Sequence, residues 1–349
     1  MFDLLARLAV TTVLSMTIFS DMPQMRQKYW KRLGLQELYQ PTSTSIIPAS
    51  YELLCTLTEA HVKEIPFENL SQHMLQKRDL PTLDLPKIAH KVLERRRGGF
   101  CLELNGLFAD FLIDLGYDVT LVPAIVGRPP LLFDHPPTHV ILIVTVPSSK
   151  ERYSVDVGFG EPPLQPLPCG DDELEQGKIQ TTPEGMVSRL VRRNGQNQDI
   201  IKDGDNVELE WLKEGGIWTP RLQWKYHDMV PSVSESKRTL SDFQPALDLV
   251  LQEGSNFSRK IIVCRLTQNY KRTLAGNLLK VTGPPRFPNQ EQNSKTDTIT
   301  TPPITTTSLE SLERVRQVLL DEFNIPLEET EELDITQSMA QDPTLWSQM

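Results

Sequence analysis

The feature that most constrains the fold is a change of hydrophobic period at Gly116. Upstream of it, apolar residues recur every three to four positions, the spacing of one helix face. Tyr51, Leu54, Leu57 and His61 form one stripe. Leu104, Leu107, Phe108, Phe111, Leu112 and Leu115 form a broader one, which opens at Cys101 and stops at Gly116. Downstream, the runs are β-branched and of strand length: 119–122, 139–146 and 153–157, then 208–212, 221–227, 260–266 and 272–281 with a turn at Gly276. Strands that follow one another without helices between them predict an antiparallel barrel or sandwich, so the expected fold class is α+β.

The ends carry weaker signals. The apolar run 8–19 is shorter than the ~20 residues a bilayer span needs. Asp3 offsets Arg7, and no convincing small-residue cleavage site follows. No integral membrane span is therefore expected, a cytoplasmic location is, and residues 1–26 read as a leader or extension, disordered, before a domain that starts near Gln27. Residues 240–253 predict a helical segment with Ser241 as cap. Residues 283–307 are polar and Pro/Thr-rich, the composition of a loop or disordered insertion. A final helix is predicted from the capping-box pattern Thr307-Ser-Leu-Glu310, with Leu309, Leu312, Val315, Arg316, Leu319 and Phe323 on its packed side and a stop at Asn324-Ile-Pro326.

Charge enters where partners are concerned. Across 349 residues, 46 Asp+Glu outweigh 36 Lys+Arg, a net charge of -10. That balance argues against nucleic acid as a partner. The acidity is mostly C-terminal, because residues 308–349 hold ten Asp/Glu against two Arg. The rest is near neutral, and its basic run 91–97 leaves room for a phosphate-bearing cofactor. The four cysteines, Cys55, Cys101, Cys169 and Cys264, are far apart, which suits neither a disulfide scaffold nor a metal knuckle. No metal is expected.

Chemistry concentrates in Arg97-Gly-Gly-Phe-Cys101-Leu-Glu103-Leu-Asn105. Gly98 and Gly99 allow a tight turn and close approach of a ligand. They deliver Cys101 to a helix N-terminus, where the partial charge and free N–H groups favour a thiolate and can hold an oxyanion. Cys55, Cys169 and Cys264 fit ordinary packing. A nucleophilic thiolate needs a base and an orienting acceptor. His139 opens the most apolar strand, and Asp156 alternates away from Val155 and Val157 on the next. A carboxylate within a strand needs a partner, so neighbouring strands would join His139 to Asp156 and to Cys101. His135, in a Pro-flanked loop, ranks second as the base.

These residues resemble the arylamine N-acetyltransferase family. Arg97, Gly98, Gly99, Cys101, Glu103 and Asn105 match its signature; Tyr29-Trp30-Lys31-Arg32-Leu33-Gly34 and Ile65-Pro66-Phe67-Glu68-Asn69-Leu70 look like its earlier segments. Thr138-His139 and Val155-Asp156-Val157-Gly158-Phe159-Gly160 match its next two, and Asp242-Phe243 and Ser255-Asn256-Phe257 its C-terminal half. The leader and the 283–307 insertion depart from it.

The resemblance implies three parts with a cysteine-protease-like core: a helical domain over 27–117, an antiparallel β-barrel domain over 118–232, and an α/β lid over 233–349 with an acidic tail. It implies a catalytic triad of Cys101, His139 and Asp156, with substrate contacts at Phe67, Phe100 and Phe159 and coenzyme A contacts at Gly158 and Gly160. Arg97, Gly98, Gly99, Glu103 and Asn105 would support the loop. The implied reaction carries acetyl from acetyl-coenzyme A, as acyl donor, to a small-molecule arylamine or hydrazine, in a monomer, through an acetyl-cysteine. Rival readings are a thiol hydrolase or transglutaminase-like crosslinker, a bulkier donor such as malonyl-coenzyme A, and a non-catalytic binding protein on the same fold.

Overall fold

A computed structural model describes residues 17–38, 48–76, 79–128, 132–181, 187–193, 205–213, 216–231, 236–267, 270–282, 305–328 and 331–333. Eight antiparallel strands form the larger sheet, in the order Leu167–Pro168, Arg152–Val155, His139–Thr145, Asp118–Val126, Ile217–Lys225, Asn206–Lys213, Val187–Arg193 and Ile179–Thr181. They curl into a nearly closed barrel whose interior holds Val122, Ile141, Ile143, Leu190, Leu209 and Leu222 in one cluster. The His139 strand is apolar on both sides because both are covered. Ile141 and Ile143 face the barrel, while Val140, Leu142 and Val144 face the helices.

The helices Pro23–Arg32, Tyr51–Glu64 and Cys101–Asp114 build the other half of that core. Ser50 caps the second by accepting a hydrogen bond from Leu53 N. The structure corrects the expected start of the domain. Residues from Thr17 onward are docked: Phe19 is fully buried, stacked on Tyr29 (5.6 Å) and edge-on to Phe111 (5.2 Å). Ile18 N donates to Asp110 Oδ2 (3.0 Å), and Thr17 Oγ1 donates to Asp114 Oδ1 (3.1 Å). Residues 1–16 lie outside the described residues.

A second antiparallel sheet runs Phe67–Glu68, Ile262–Leu266, Lys271–Ala275, Leu278–Thr282 and Thr305–Ser308. The pairing of Phe67 with Cys264 stitches the N-terminal half to the C-terminal one, so the expected boundaries are crossed by the chain itself. Leu240, Phe243, Leu247 and Val250 likewise join the helical core rather than the second sheet. Their segment is capped by Thr239, not Ser241, because Asp242 reaches back to Thr239 N (2.7 Å).

Residues 305–307 pair as a strand rather than belonging to the insertion, whose residues 283–304 are outside the described set. The last helix accordingly begins later than expected, at Leu312 with Ser311 as its cap, and ends on left-handed Asn324. Val315, Val318, Leu319 and Phe323 pack it against the second sheet.

Candidate active site

The chain reaches Cys101 through a constrained turn. Arg96 takes left-handed backbone (φ 53°) and turns Arg97 inward, where it is fully buried. A side chain at Gly98 would put its Cβ 1.9 Å from the Pro66 carbonyl oxygen, so only glycine fits beside that strand. Gly99 O then accepts from Glu68 N (2.8 Å), which fixes the turn to the Phe67 strand.

Cys101 is the first residue of its helix, and Asn105 lies four positions on, on the same face. Glu103, between them, projects to the opposite side. Facing Cys101 and Asn105, the His139 and Arg152–Val155 strands are neighbours, with Leu142 opposite Val155. Asp156 follows the strand end directly. His139 Nε2 lies 2.7 Å from Asp156 Oδ2. Asp156 Oδ1 accepts from Asn105 Nδ2 (2.9 Å) and Gly158 N (2.8 Å). Asn105 is itself locked, donating to Val140 O (2.7 Å) and accepting from Val157 N (2.8 Å). With Nε2 on Asp156, the His139 ring leaves Nδ1 for Cys101.

All three side chains are buried, and two of them, Cys101 and His139, border a cavity of about 140 Å³. Burial by itself lowers the His139 pKa; Asp156 and Cys101 outweigh it, and the pKa rises to about 10. Cys101 Sγ sits 3.6 Å from the Thr138 carbonyl oxygen. Burial pushes the pKa values of Cys55, Cys169 and Cys264 up, which keeps them neutral. His135 turns its ring to the carbonyl oxygens of Val126 (2.8 Å) and Pro136 (3.0 Å), so it is not the histidine beside Cys101.

Of the other residues singled out in the sequence, Phe67, Phe159, Gly158 and Gly160 line the cavity. Phe100 does not; it is fully buried behind Phe257, 6.4 Å between centroids. A Cβ at Gly158 would approach Cys101 Cα to 2.6 Å, which ties this glycine to the position of the thiol. Arg97 donates from Nε (3.1 Å) and Nη2 (2.9 Å) to Glu68 Oε1, and Lys91 Nζ reaches both Glu103 oxygens (2.8 Å each). The walls also include Arg128, Glu161, Arg221, Phe257, Cys264 and Lys271, which carry no local motif. They come together from distant segments; Phe257 and Cys264 were named in the sequence, Cys264 as a packing residue, and none of the six as cavity wall. Among the described residues, no cluster of three His, Cys, Asp or Glu is arranged to hold a metal, and no helix is long and apolar enough to cross a membrane.

A family model described as N-acetyltransferase matches residues 50–332. The arylamine N-acetyltransferase / N-hydroxyarylamine O-acetyltransferase of Salmonella typhimurium is 33% identical over 251 residues, 68% of this chain and 71% of that protein. The arylamine N-acetyltransferase of Mycobacterium tuberculosis is 36% identical over 162 residues, 44% of this chain and 50% of that protein, so this match spans half the relative's length. A pineal gland arylamine N-acetyltransferase isozyme of Gallus gallus is 27% identical over 305 residues, 85% of this chain and 95% of that protein.

Among solved structures, the M. smegmatis arylamine N-acetyltransferase superposes with a TM-score of 0.66 at 25% identity, covering 90% of this chain and 96% of that one. The Mycobacterium marinum enzyme in complex with CoA gives 0.63 at 25% identity, covering 86% and 92%. Motif, fold and relatives agree, and the chain belongs to the arylamine N-acetyltransferase family.

Proposed function

We propose that the acetyl group travels from acetyl-coenzyme A to the nitrogen of an arylamine or arylhydrazine through a covalent acetyl-cysteine at Cys101. The observation that carries this reading is the 2.7 Å contact of His139 Nε2 with Asp156, which holds an imidazolium beside a thiol at a helix start bordering the cavity. A neighbouring cation and the helix N-terminus both favour the thiolate.

Cys101 Sγ attacks the acetyl carbonyl carbon, and N–H groups of the helix start, which have no partner within the helix, stabilise the tetrahedral oxyanion. The bond from that carbon to the coenzyme A sulfur breaks. The departing thiolate takes the imidazolium proton, leaving neutral His139 and acetyl-Cys101. The amine nitrogen then attacks the same carbon, His139 takes its proton, and the bond to Sγ breaks. Thiolate and imidazolium are restored. Phe67 and Phe159 supply aromatic wall for the acceptor, and Gly158 and Gly160 leave room for the thioester arm.

Intact-mass analysis after incubation with acetyl-coenzyme A alone tests the reading. The wild type should gain one acetyl group on Cys101, and Cys101→Ala should neither gain it nor turn over an aniline. Turnover retained in Cys101→Ala would overturn the assignment.

A further inference from the structure

The segment Thr17–Asp21 sits on two carboxylates of the Cys101–Asp114 helix, Asp110 and Asp114, which lie one turn apart on the same face. Thr17 caps the short helix Ile18–Asp21, its Oγ1 accepting from Ser20 N (3.0 Å). Asp114 is well supplied with partners. Its Oδ1 accepts from Thr17 Oγ1 (3.1 Å), Ser20 Oγ (2.9 Å) and Arg26 Nη2 (2.7 Å), and its Oδ2 lies 2.6 Å from Arg26 Nε. Asp110 receives a single neutral hydrogen bond, from Ile18 N to its Oδ2 (3.0 Å), and among the described residues no cation forms an ion pair with it. Docking therefore places a half-buried carboxyl where its neutral form is favoured. Burial raises the Asp110 pKa, the Ile18 N–H lowers it in part, and the like charges of Asp114 and Asp21 raise it again, to about 7. Arg26, from the Pro23–Arg32 helix, is spent on Asp114.

We propose that Thr17–Asp21 is a proton-sensitive clasp, which closes with uptake of a proton on Asp110 and loosens as the solution passes from acidic to neutral. When the segment lifts, Asp110 loses the cover of Ile18 and the nearby charge of Asp21, and its carboxyl returns towards the ordinary 3.8. A carboxyl whose pKa is higher docked than free binds a proton on docking. Docking is then firmest at acidic pH, weakens by at most tenfold per pH unit between the free and docked values, and changes no further above the docked one. Phe19, fully buried against Tyr29 and Phe111, supplies an attachment that does not depend on pH. Lifting the segment withdraws Phe19 from that aromatic cluster, so the proton sets how often the helical core opens at this end. The device lies at the opposite end of the helix from Cys101 and is independent of which group Cys101 transfers.

Amide hydrogen exchange in the full-length protein tests the clasp, read on residues 18–22 from pH 5 to pH 8. The rates are corrected for the intrinsic pH dependence of exchange and set against amides of the Tyr51–Glu64 helix, which report opening of the whole core. In the wild type the opening constant of the segment should rise about tenfold to a hundredfold over this range and level off near pH 7. Asp110→Asn keeps an acceptor for Ile18 N and cannot ionise, so its constant should stay flat, close to the wild type's value at pH 5. Asp21 is exposed, and Asp21→Asn removes a like charge without touching the core. Its curve should level off at lower pH, with a smaller total rise. A wild-type constant that does not change from pH 5 to pH 8 overturns the proposal. So does a rise in Asp110→Asn equal to that of the wild type or, should that variant not fold, an Asp21→Asn curve that superposes on the wild type's.

Discussion

Two buried clusters of ionisable groups meet the first turns of the Cys101–Asp114 helix, and they are built from the same materials. On one face, Cys101 and Asn105 meet His139 and Asp156; on the other, Glu103 meets Lys91, beside the pair Arg97–Glu68. The second cluster is closed. Glu68 spends one oxygen on Arg97 and the other on Leu70 N (2.6 Å), both oxygens of Glu103 are on Lys91, and the fully buried Glu331 faces Arg97 at 3.7 Å. The first cluster keeps an open side, since Cys101 and His139 border the cavity. A cation and a carboxylate in a core therefore do not by themselves mark chemistry. What marks it is a group whose remaining capacity points at space where a substrate fits.

The largest effect expected from breaking this contrast is at Asp156. Asp156→Asn removes the anion that holds the His139 imidazolium while keeping the shape, and a triad disabled this way loses about 10⁴-fold in kcat. Steady-state acetylation of an aniline, counted per folded molecule, would show it. A loss below tenfold would place the orienting group elsewhere. The opposite signature is expected across the helix. Arg97→Met strands the Glu68 carboxylate, a change that costs about 3–5 kcal/mol of stability for a buried pair. Denaturant unfolding should register that loss, while kcat per folded molecule stays within a few-fold. Replacing both partners, Arg97→Met with Glu68→Leu, should recover part of it. A variant that stays stable but loses kcat would make the second cluster part of the chemistry.

Gly158→Ala sits between these two outcomes. The added methyl meets Cys101 Cα at 2.6 Å, and Asn105 Nδ2 and Cys101 O at 3.1 Å, so the Asp156–Gly158 turn and the thiol must separate. A displacement of that kind is worth about 100-fold in rate. The reading is a fall in kcat/KM with Cys101 still accessible to iodoacetamide.

How far these features were legible follows from what each depended on. The helix from Cys101 was readable from its period, and its alternation of Cys, Glu and Asn sorts the two clusters by face before any tertiary contact is known. His139 and Asp156 were readable because a histidine opening an apolar strand and a carboxylate among valines both need partners. Arg221 and Cys264 were not readable as cavity wall, because only the register of distant strands brings them there. Phe19 misled because an apolar run near the start of a chain looks alike whether it leads a domain or docks into it. Its stacking on Tyr29 and Phe111 is a tertiary fact. The last helix slipped by several residues because Thr307, Ser308 and Ser311 offer competing caps, and pairing with Leu278–Thr282 takes the first two into a strand.

The smallest predicted effect separates the clusters by pH. The His139 pKa is raised from 6.5 to about 10, against burial, by Asp156 and Cys101. A raised pKa in the folded state stabilises the fold fully below the unfolded value and ceases to do so as pH climbs through the folded one. The stability gap between wild type and His139→Gln should therefore narrow from about pH 6.5 to about pH 10. Glu68 runs the other way. Burial pushes its carboxyl up, but Arg97 and Lys91 outweigh burial and hold it below its ordinary 4.5. Its contribution is present above that value and is lost only as pH falls below it, so the gap between wild type and Glu68→Gln should stay flat from neutral to alkaline pH. Thermal unfolding of the three proteins from pH 4 to pH 10 reads both gaps, at about 1–2 °C per kcal/mol for a chain of 349 residues. Equal pH profiles for the two variants would mean that His139 carries no charge specific to the Cys101 side, and the contrast between an open and a closed cluster would lose its electrostatic half.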